Sequence, residues 1–421
     1  MNLPRSIVLL ALSAATSASA ASFISLPAVN GNVYGFAASG STLYIAGGFT
    51  SVGGSTRNGL AAINLTDMSV TSWNPDLGLF GGAGYATSVA VSPDGSQVYF
   101  GGNFDQAGGQ ARSYLASASS SGAVSSFAPS VNGFVNKVLA SSSSVYAVGN
   151  FTMANSTARV GFAGFDTGGT LNGFDPGLAS YNTGGSFRGA ALNADGSRLH
   201  VALGNSAVDF TDTNGDPVNR RGFASLQTSD GRESGFRPVL KDSGFTSGTF
   251  GVATTGSKLY IAGPFNEADG TGVDHIASFD NEVFDPAASP GTGAGPDGAV
   301  RSVSPFGGVL YVAGAFDNAG GSAHKGLAAI DSATGAVIAG WDALSSTTFQ
   351  STDTTVFAYD GKVFIASQAL AVGGQTLLGE AVDFYGAVTG VTAVPEPESF
   401  AWVFGGLALG AAWFHRRSKA A

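Results

Sequence analysis

No cysteine occurs anywhere in the 421 residues. A disulfide framework and thiolate metal sites are thereby excluded, and a folded body has to hold together by packing alone. Charge is scarce as well: only 11% of the residues are Asp, Glu, Lys or Arg, and there are four His. His200, His275, His324 and His415 stand in no metal spacing such as H-E-x-x-H. A G-x-S-x-G nucleophile elbow is missing. The run Gly291-Thr292-Gly293-Ala294-Gly295 lies between Pro290 and Pro296 with no helix to follow, so it is not a phosphate loop.

Long stretches of Leu, Glu and Lys are also absent, and 63 residues are Gly. Gly, Ser and Thr weaken helices, so a mostly helical body is excluded. Disorder is excluded too, because 44% of the chain is hydrophobic and 30 residues are Phe, ample for a core. An all-β class with many tight turns fits this composition.

The two ends differ from the middle. Arg5, the apolar run Ile7 to Ala15 and Ala18-Ser19-Ala20 read as a secretory signal peptide over residues 1–20. Its apolar core is short against the roughly 20 residues needed to span a bilayer. At the other end, Val394-Pro395-Glu396-Pro397 leads into an uncharged run, Phe400 to Phe414, and then His415-Arg416-Arg417-Ser418-Lys419. As a helix that run reaches about 22 Å, short of a hydrocarbon core of roughly 30 Å. Transient holding suits it better than permanent anchoring, and the Arg pair fits a cytoplasmic flank. An ordinary C-terminal anchor is the rival reading.

Residues 394–421 resemble the PEP-CTERM sorting signal: tripeptide, hydrophobic helix and basic stop, in that order. The resemblance implies that Pro395, Glu396, Pro397, Arg416 and Arg417 carry the signal. It implies a membrane protease-transpeptidase of the exosortase type as partner, and membrane attachment through the C-terminal helix before processing. It further implies export to the envelope or outer surface of a Gram-negative-type bacterium that makes exopolysaccharide. Setting aside both ends removes Arg5, Arg416, Arg417 and Lys419 but only Glu396 and Glu398, so a net charge of −10 becomes −12. So acidic a body disfavours nucleic acid and anionic lipid surfaces.

Between the ends, residues 21–393 repeat. An apolar strand returns seven times: Leu43-Tyr44-Ile45-Ala46, Val98-Tyr99-Phe100-Gly101, Val145-Tyr146-Ala147-Val148, Leu199-His200-Val201-Ala202, Leu259-Tyr260-Ile261-Ala262, Leu310-Tyr311-Val312-Ala313 and Val363-Phe364-Ile365-Ala366. Offsets of 47 to 60 residues point to propellers or solenoids. Each unit opens on a hairpin, with turns such as Pro93-Asp94-Gly95 in which Gly supplies a positive φ. A Gly-x-Phe follows, at Phe49, Phe104, Phe151, Phe265 and Phe316. Then comes a small-residue strand such as Leu60-Ala61-Ala62-Ile63, and a closing aromatic with Pro, as in Trp73/Pro75, Phe127/Pro129 and Phe174/Pro176.

Four short strands, seven times, specify a seven-bladed β-propeller of four-stranded blades; a solenoid is the runner-up. The units are similar to the bacterial delta-60 propeller repeat, best in units one and two (Gly47-Gly48-Phe49-Thr50, Gly53-Gly54, Arg57-Asn58), and their apolar-then-Gly-Gly start is similar to kelch repeats. Phe23 to Val29 are placed to add an outer strand to the last unit. Unit four departs from the pattern, with Leu203-Gly204-Asn205 for the Gly-x-Phe and an insertion from Asp209 to Pro217.

Three sets of residues are candidates for chemistry. Asp212, Asn214 and Asp216 alternate oxygen side chains as calcium loops do. Pro217 stands where such a loop needs Gly and Phe223 where it needs Glu, so a polar hairpin tip is the favoured reading and Ca2+ the alternative; no other cofactor is implied. Arg57, Arg112, Arg159 and Arg220 (or Arg221) hold the same place in units one to four. On one face they would bind anionic sugars or carboxylates; their repetition favours a framework role. Paired carboxylates for glycoside cleavage are a matter of spatial distance, which no linear motif reports. The expectation is a non-catalytic, exported binding or scaffold module of the surface or exopolysaccharide layer, with polysaccharide as partner. A polysaccharide hydrolase or lyase with its site over the central channel is the alternative.

Overall fold

The computed structural model describes residues 8–13, 22–178, 187–339, 341, 355–367, 371–372, 375–376 and 381–382. The sorting-signal residues Pro395, Glu396, Pro397, Arg416 and Arg417 lie outside them. All regular structure among the described residues is β-strand, and none of it includes a helix long and apolar enough to cross a membrane.

Each unit builds one antiparallel sheet from the hairpin outward. The inner strands are Asn32–Ser39, Tyr85–Val91, Phe134–Ala140, Gly189–Leu192, Gly251–Thr255, Val300–Phe306 and Thr355–Tyr359. Each pairs with the apolar strand that follows it, for instance Phe36 with Ile45 and Val138 with Ala147. The apolar strand pairs in turn with the small-residue strand: Ile45 with Ala61, Phe100 with Ala116, Val312 with Ala328. Between second and third strands the chain makes a two-residue hairpin, such as Ser51–Val52 with Ser55–Thr56. Successive inner strands touch, and the seventh returns to the first. Sheets set radially around one axis in this way form a β-propeller.

The hydrophobic core is divided among the gaps between sheets. One cluster joins Tyr44, Leu60 and Trp73 of unit one to Val98 and Phe100 of unit two. Others join units two and three, three and four, and five and six. The gap between seven and one holds Leu43, Ile45, Phe49 and Phe364, with Phe36 stacked on Phe357 at 6.0 Å. Burying both faces of every sheet explains why the second strands read as unbroken apolar runs. Alanines fill the third strands because neighbouring sheets approach there: Ala61, Ala62, Ala116, Ala328 and Ala329 are all buried.

The expected fourth strand is mostly reduced to a single bridge: Ile63 with Val70, Ala118 with Val124, Phe165 with Leu171, Ile330 with Val337. Two features cut it short. The turn before it is tied by Asp side chains, Asp67 to Ser69 N at 3.0 Å and Asp166 to Thr170 N at 2.8 Å, and the Pro that follows has no N–H to give a ladder. What the segment delivers is its aromatic. Trp73 meets Tyr44 edge-on at 5.0 Å and donates Nε1 to Ser119 O of unit two at 2.9 Å; Phe127 meets Tyr99 and Phe174 meets Tyr146, each at 5.1 Å.

In the seventh sheet, Val8–Ser13 pairs with Lys362–Ser367 in the place a third strand holds elsewhere. Ser22–Ser25 follows it and pairs with Ala381–Val382. The N-terminal stretch therefore joins the last sheet, through Ser22–Ser25, while Val29 bridges to Val52 of unit one.

The Gly of Gly-x-Phe has a steric origin. A Cβ at Gly47 would lie 1.9 Å from Asn32 O, at Gly102 2.3 Å from Tyr85 O, at Gly149 2.0 Å from Phe134 O and at Gly314 2.3 Å from Ala299 O. Each carbonyl lies in or directly before an inner strand, beside a one-residue bulge, between Val33 and Gly35, Ala86 and Ser88, Val135 and Lys137, and Val300 and Ser302. Gly149→Ala is therefore expected to cost about 2 kcal/mol or more, read as a lower denaturant midpoint, whereas Gly291→Ala, with open space around it and an ordinary φ, leaves the midpoint within about 0.5 kcal/mol.

His200 stands where units one, two, three, five and six have Tyr. It is buried against Phe223 at 5.9 Å, and desolvation, with help from Arg198, holds its pKa down to about 4. The unfolded chain takes up that proton near pH 6.5 and the folded one only near 4, so stability falls with pH across this window, by about 3 kcal/mol in all. Chemical denaturation at pH 7 and pH 4.5 is expected to show that loss in the native chain and a smaller one in His200→Tyr.

Candidate functional site

The one-residue bulge that demands Gly also decides which side chains face the axis. A bulge residue is unpaired and its side chain is re-aimed. The extra residues are Tyr34, Thr87, Asn136 and Arg301; Arg188 and Phe250 hold the same place in units four and five, directly before the first inner-strand pair. All six line a central cavity of about 740 Å³ whose wall is drawn from the inner strands of all seven units.

One step along the strand, the next ring is nearly bare. Gly35, Ser88, Gly189, Gly251, Ser302 and Thr355 all pair with the residue just before the Gly-x-Phe position or its equivalent. Lys137 is the seventh member and its only long side chain. Neighbouring strands crowd it while the open channel leaves it partly wetted, and desolvation pushes its ammonium below the ordinary lysine value.

The sign of the wall is uniform. Lys137, Arg188 and Arg301 line it and no Asp or Glu does. None of the three makes an ion pair among the described residues; Arg301 lies over the Phe250 ring, 4.9 Å from its centroid, and its Nε is buried without a partner. In a chain of net charge −10, a cationic channel free of carboxylates is a local inversion of charge. Phe36 and Phe357, from units one and seven, supply apolar wall.

The arginines read from the repeat sit elsewhere: none lines the cavity. Arg57 donates to Thr71 O at 2.6 Å and Arg112 to Ser125 O at 2.9 Å, each tying its loop to the closing segment of its own unit. Arg159 pairs with Asp175 at 3.0 Å. Arg220 is buried against Glu233, with contacts of 2.6 and 3.1 Å. Asp212 accepts from Asn214 N at 2.8 Å and from Asp216 N at 3.0 Å, so its Oδ1 closes the turn between Arg198–Thr211 and Pro217–Gln227. Among the described residues no three His, Asp or Glu side chains converge in a metal-binding group. The unit-four insertion is a long hairpin, and its Phe210 is buried 5.9 Å from Phe162, which brings back an aromatic where the Gly-x-Phe is lost.

Sequence reading passed over Lys137, Arg188 and Arg301. A signal was available: the bulge residue stands fifteen positions before the Gly-x-Phe aromatic in units one, three, five and six (Tyr34, Asn136, Phe250, Arg301). Its identity varies while the frame repeats.

No family model matches the chain, and no curated protein matches it. Among solved structures it is similar to the computationally designed Ika8 protein (11% identity, 84% of this chain and 98% of that one, TM-score 0.46). It is also similar to the WD40 β-propeller domain of Doa1 (13%, 82% and 97%, TM-score 0.46) and to the Cps50 (Swd1) β-propeller domain of Myceliophteria thermophila (10%, 82% and 98%, TM-score 0.41). The propeller assignment here rests on the sheet order.

Glu233 is fully buried, so removing its charge strands the guanidinium of Arg220. Glu233→Leu is expected to cost about 3–5 kcal/mol, seen by denaturant unfolding. Pairing it with Arg220→Met should recover much of the loss.

Proposed function

We propose that this chain is an exported seven-bladed β-propeller that serves as a non-catalytic binding or scaffold module in the surface or exopolysaccharide layer of a bacterial envelope. The observation that carries the binding part is the cavity on the propeller axis, large enough for a small-molecule ligand and lined by polar side chains and by three cations that make no ion pair among the described residues. The signal-like segment of residues 1–20 and the PEP-CTERM-like segment of residues 394–421 support the address, with an exosortase-type enzyme as processing partner. The alternative, a polysaccharide hydrolase or lyase, gains no support from the cavity wall, where the carboxylate pair that glycoside cleavage uses is not found among the described residues.

Purified protein presented to a panel of surface polysaccharides tests this. Retention of a polysaccharide without shortening is the expected result. Depolymerisation, or retention of none, overturns the binding reading. Export is read separately, from protein isolated from envelope and medium: a new N-terminus at Ala21 is expected, and an intact Met1 in those fractions would refute it. Although Val8–Ser13 holds a place in the seventh sheet, the other six sheets do not use it, so the processed chain is also expected to keep its cooperative unfolding.

A further inference from the structure

The geometry points to the channel as a receptor for a carboxylate-bearing ligand, an acidic sugar residue held with its carboxylate on Lys137, Arg188 and Arg301 and its ring against the aromatic wall. This deepens the binding reading above and rests on it.

The argument begins with what each cation lacks. Surface Lys and Arg in this chain are mostly paired: Lys241 with Glu267 at 2.7 Å, Lys325 with Asp317 at 3.2 Å, Arg159 with Asp175 at 3.0 Å. The three channel cations have no such partner among the described residues, and the wall around them has no acid. Enclosing like charges without a counter-charge is unfavourable, so an incoming anion relieves a cost already present in the empty channel. Guanidinium groups hold carboxylates in bidentate fashion, and they do so more strongly where water is partly excluded.

The second observation is the division of the wall. The cations come from units three, four and six, whereas Phe36 and Phe357 come from units one and seven. Phe250 stands between the two arginine-bearing units, with Arg301 across its ring. A simple inorganic anion would use the cations alone. A ring that carries a carboxylate uses both sides, with its apolar C–H face on the aromatics and its charge on the cations. A cavity of about 740 Å³ takes one or two sugar residues.

Titration calorimetry on the purified full-length protein tests the assignment with three probes: a short oligogalacturonate, its fully methyl-esterified form, and citrate as a free carboxylate. Oligogalacturonate is expected to bind, with affinity falling as salt rises, and the ester to bind at least about tenfold more weakly. Arg301→Gln and Lys137→Met should each weaken oligogalacturonate by about tenfold or more, while Lys241→Gln, away from the channel, leaves it unchanged. Binding of citrate as tight as that of oligogalacturonate assigns the site to free carboxylates and overturns the sugar. Equal binding of acid and ester overturns the carboxylate receptor but leaves a binding module standing. Failure of all three probes overturns this assignment alone, because retention on the polysaccharide panel decides the module reading independently.

Discussion

A carbonyl oxygen crowds one glycine in every well-formed unit. Gly47, Gly102, Gly149 and Gly314 each face an oxygen in or directly before an inner strand that leaves no room for a Cβ, and a Cβ at Gly263 would lie 2.8 Å from Gly248 O in the same place. The close approach exists because the inner strand carries one residue more than its partner. From that surplus come the strong local twist that lets the sheets stand radially, and the re-aimed side chains along the axis. Remove the glycine and the bulge has no room; remove the bulge and the inner strand pairs flat, with its side chains in the gaps between sheets.

Packing then closes the ring without covalent help. The described gaps share β-branched and aromatic residues of second strands and alanines of third strands, and four of them add the closing aromatic brought by an otherwise irregular segment: Trp73, Phe127, Phe174 and Phe236. Polar ties reinforce the inner rim, where Ser88 Oγ accepts from Val138 N at 3.1 Å and Ser304 Oγ from Ala358 N at 2.8 Å, each reaching the next unit. Tyr359 of unit seven donates to Gly40 O of unit one at 3.2 Å. Each sheet has neighbours on both sides, so among the described residues the second and third strands bury their apolar side chains against adjoining sheets, as a chain without disulfides requires.

Much of the architecture was legible because it repeats. The period, the Asp-Gly turns, the Gly-x-Phe and the alanine strands all follow from steric demands renewed in each unit. The fourth strand was misread because Trp73 or Phe127 in an apolar segment looks like a ladder residue, while local Asx bonds and Pro limit it to one bridge. The candidate site was hidden for a different reason. Arg57 and its repeat mates attracted notice through their regular spacing, yet regularity marks framework: they bond carbonyls and acids of their own units. Lys137, Arg188 and Arg301 occupy positions whose identity the repeat does not fix, and only the bulge register shows that those positions share one cavity. Nothing in linear spacing reports that convergence.

The bulge separates two jobs that most folds assign to the same residues. Tyr34, Thr87, Asn136, Arg188, Phe250 and Arg301 hold one geometric slot with five kinds of side chain, while the glycine behind them stays fixed in all of these units but the fourth, where Leu203 stands in its place. Substitution in the slot changes what the channel presents without disturbing the gaps that hold the ring together. Such a ring is a mounting for exchangeable side chains, and a change of ligand would need only a handful of codons rather than a new fold.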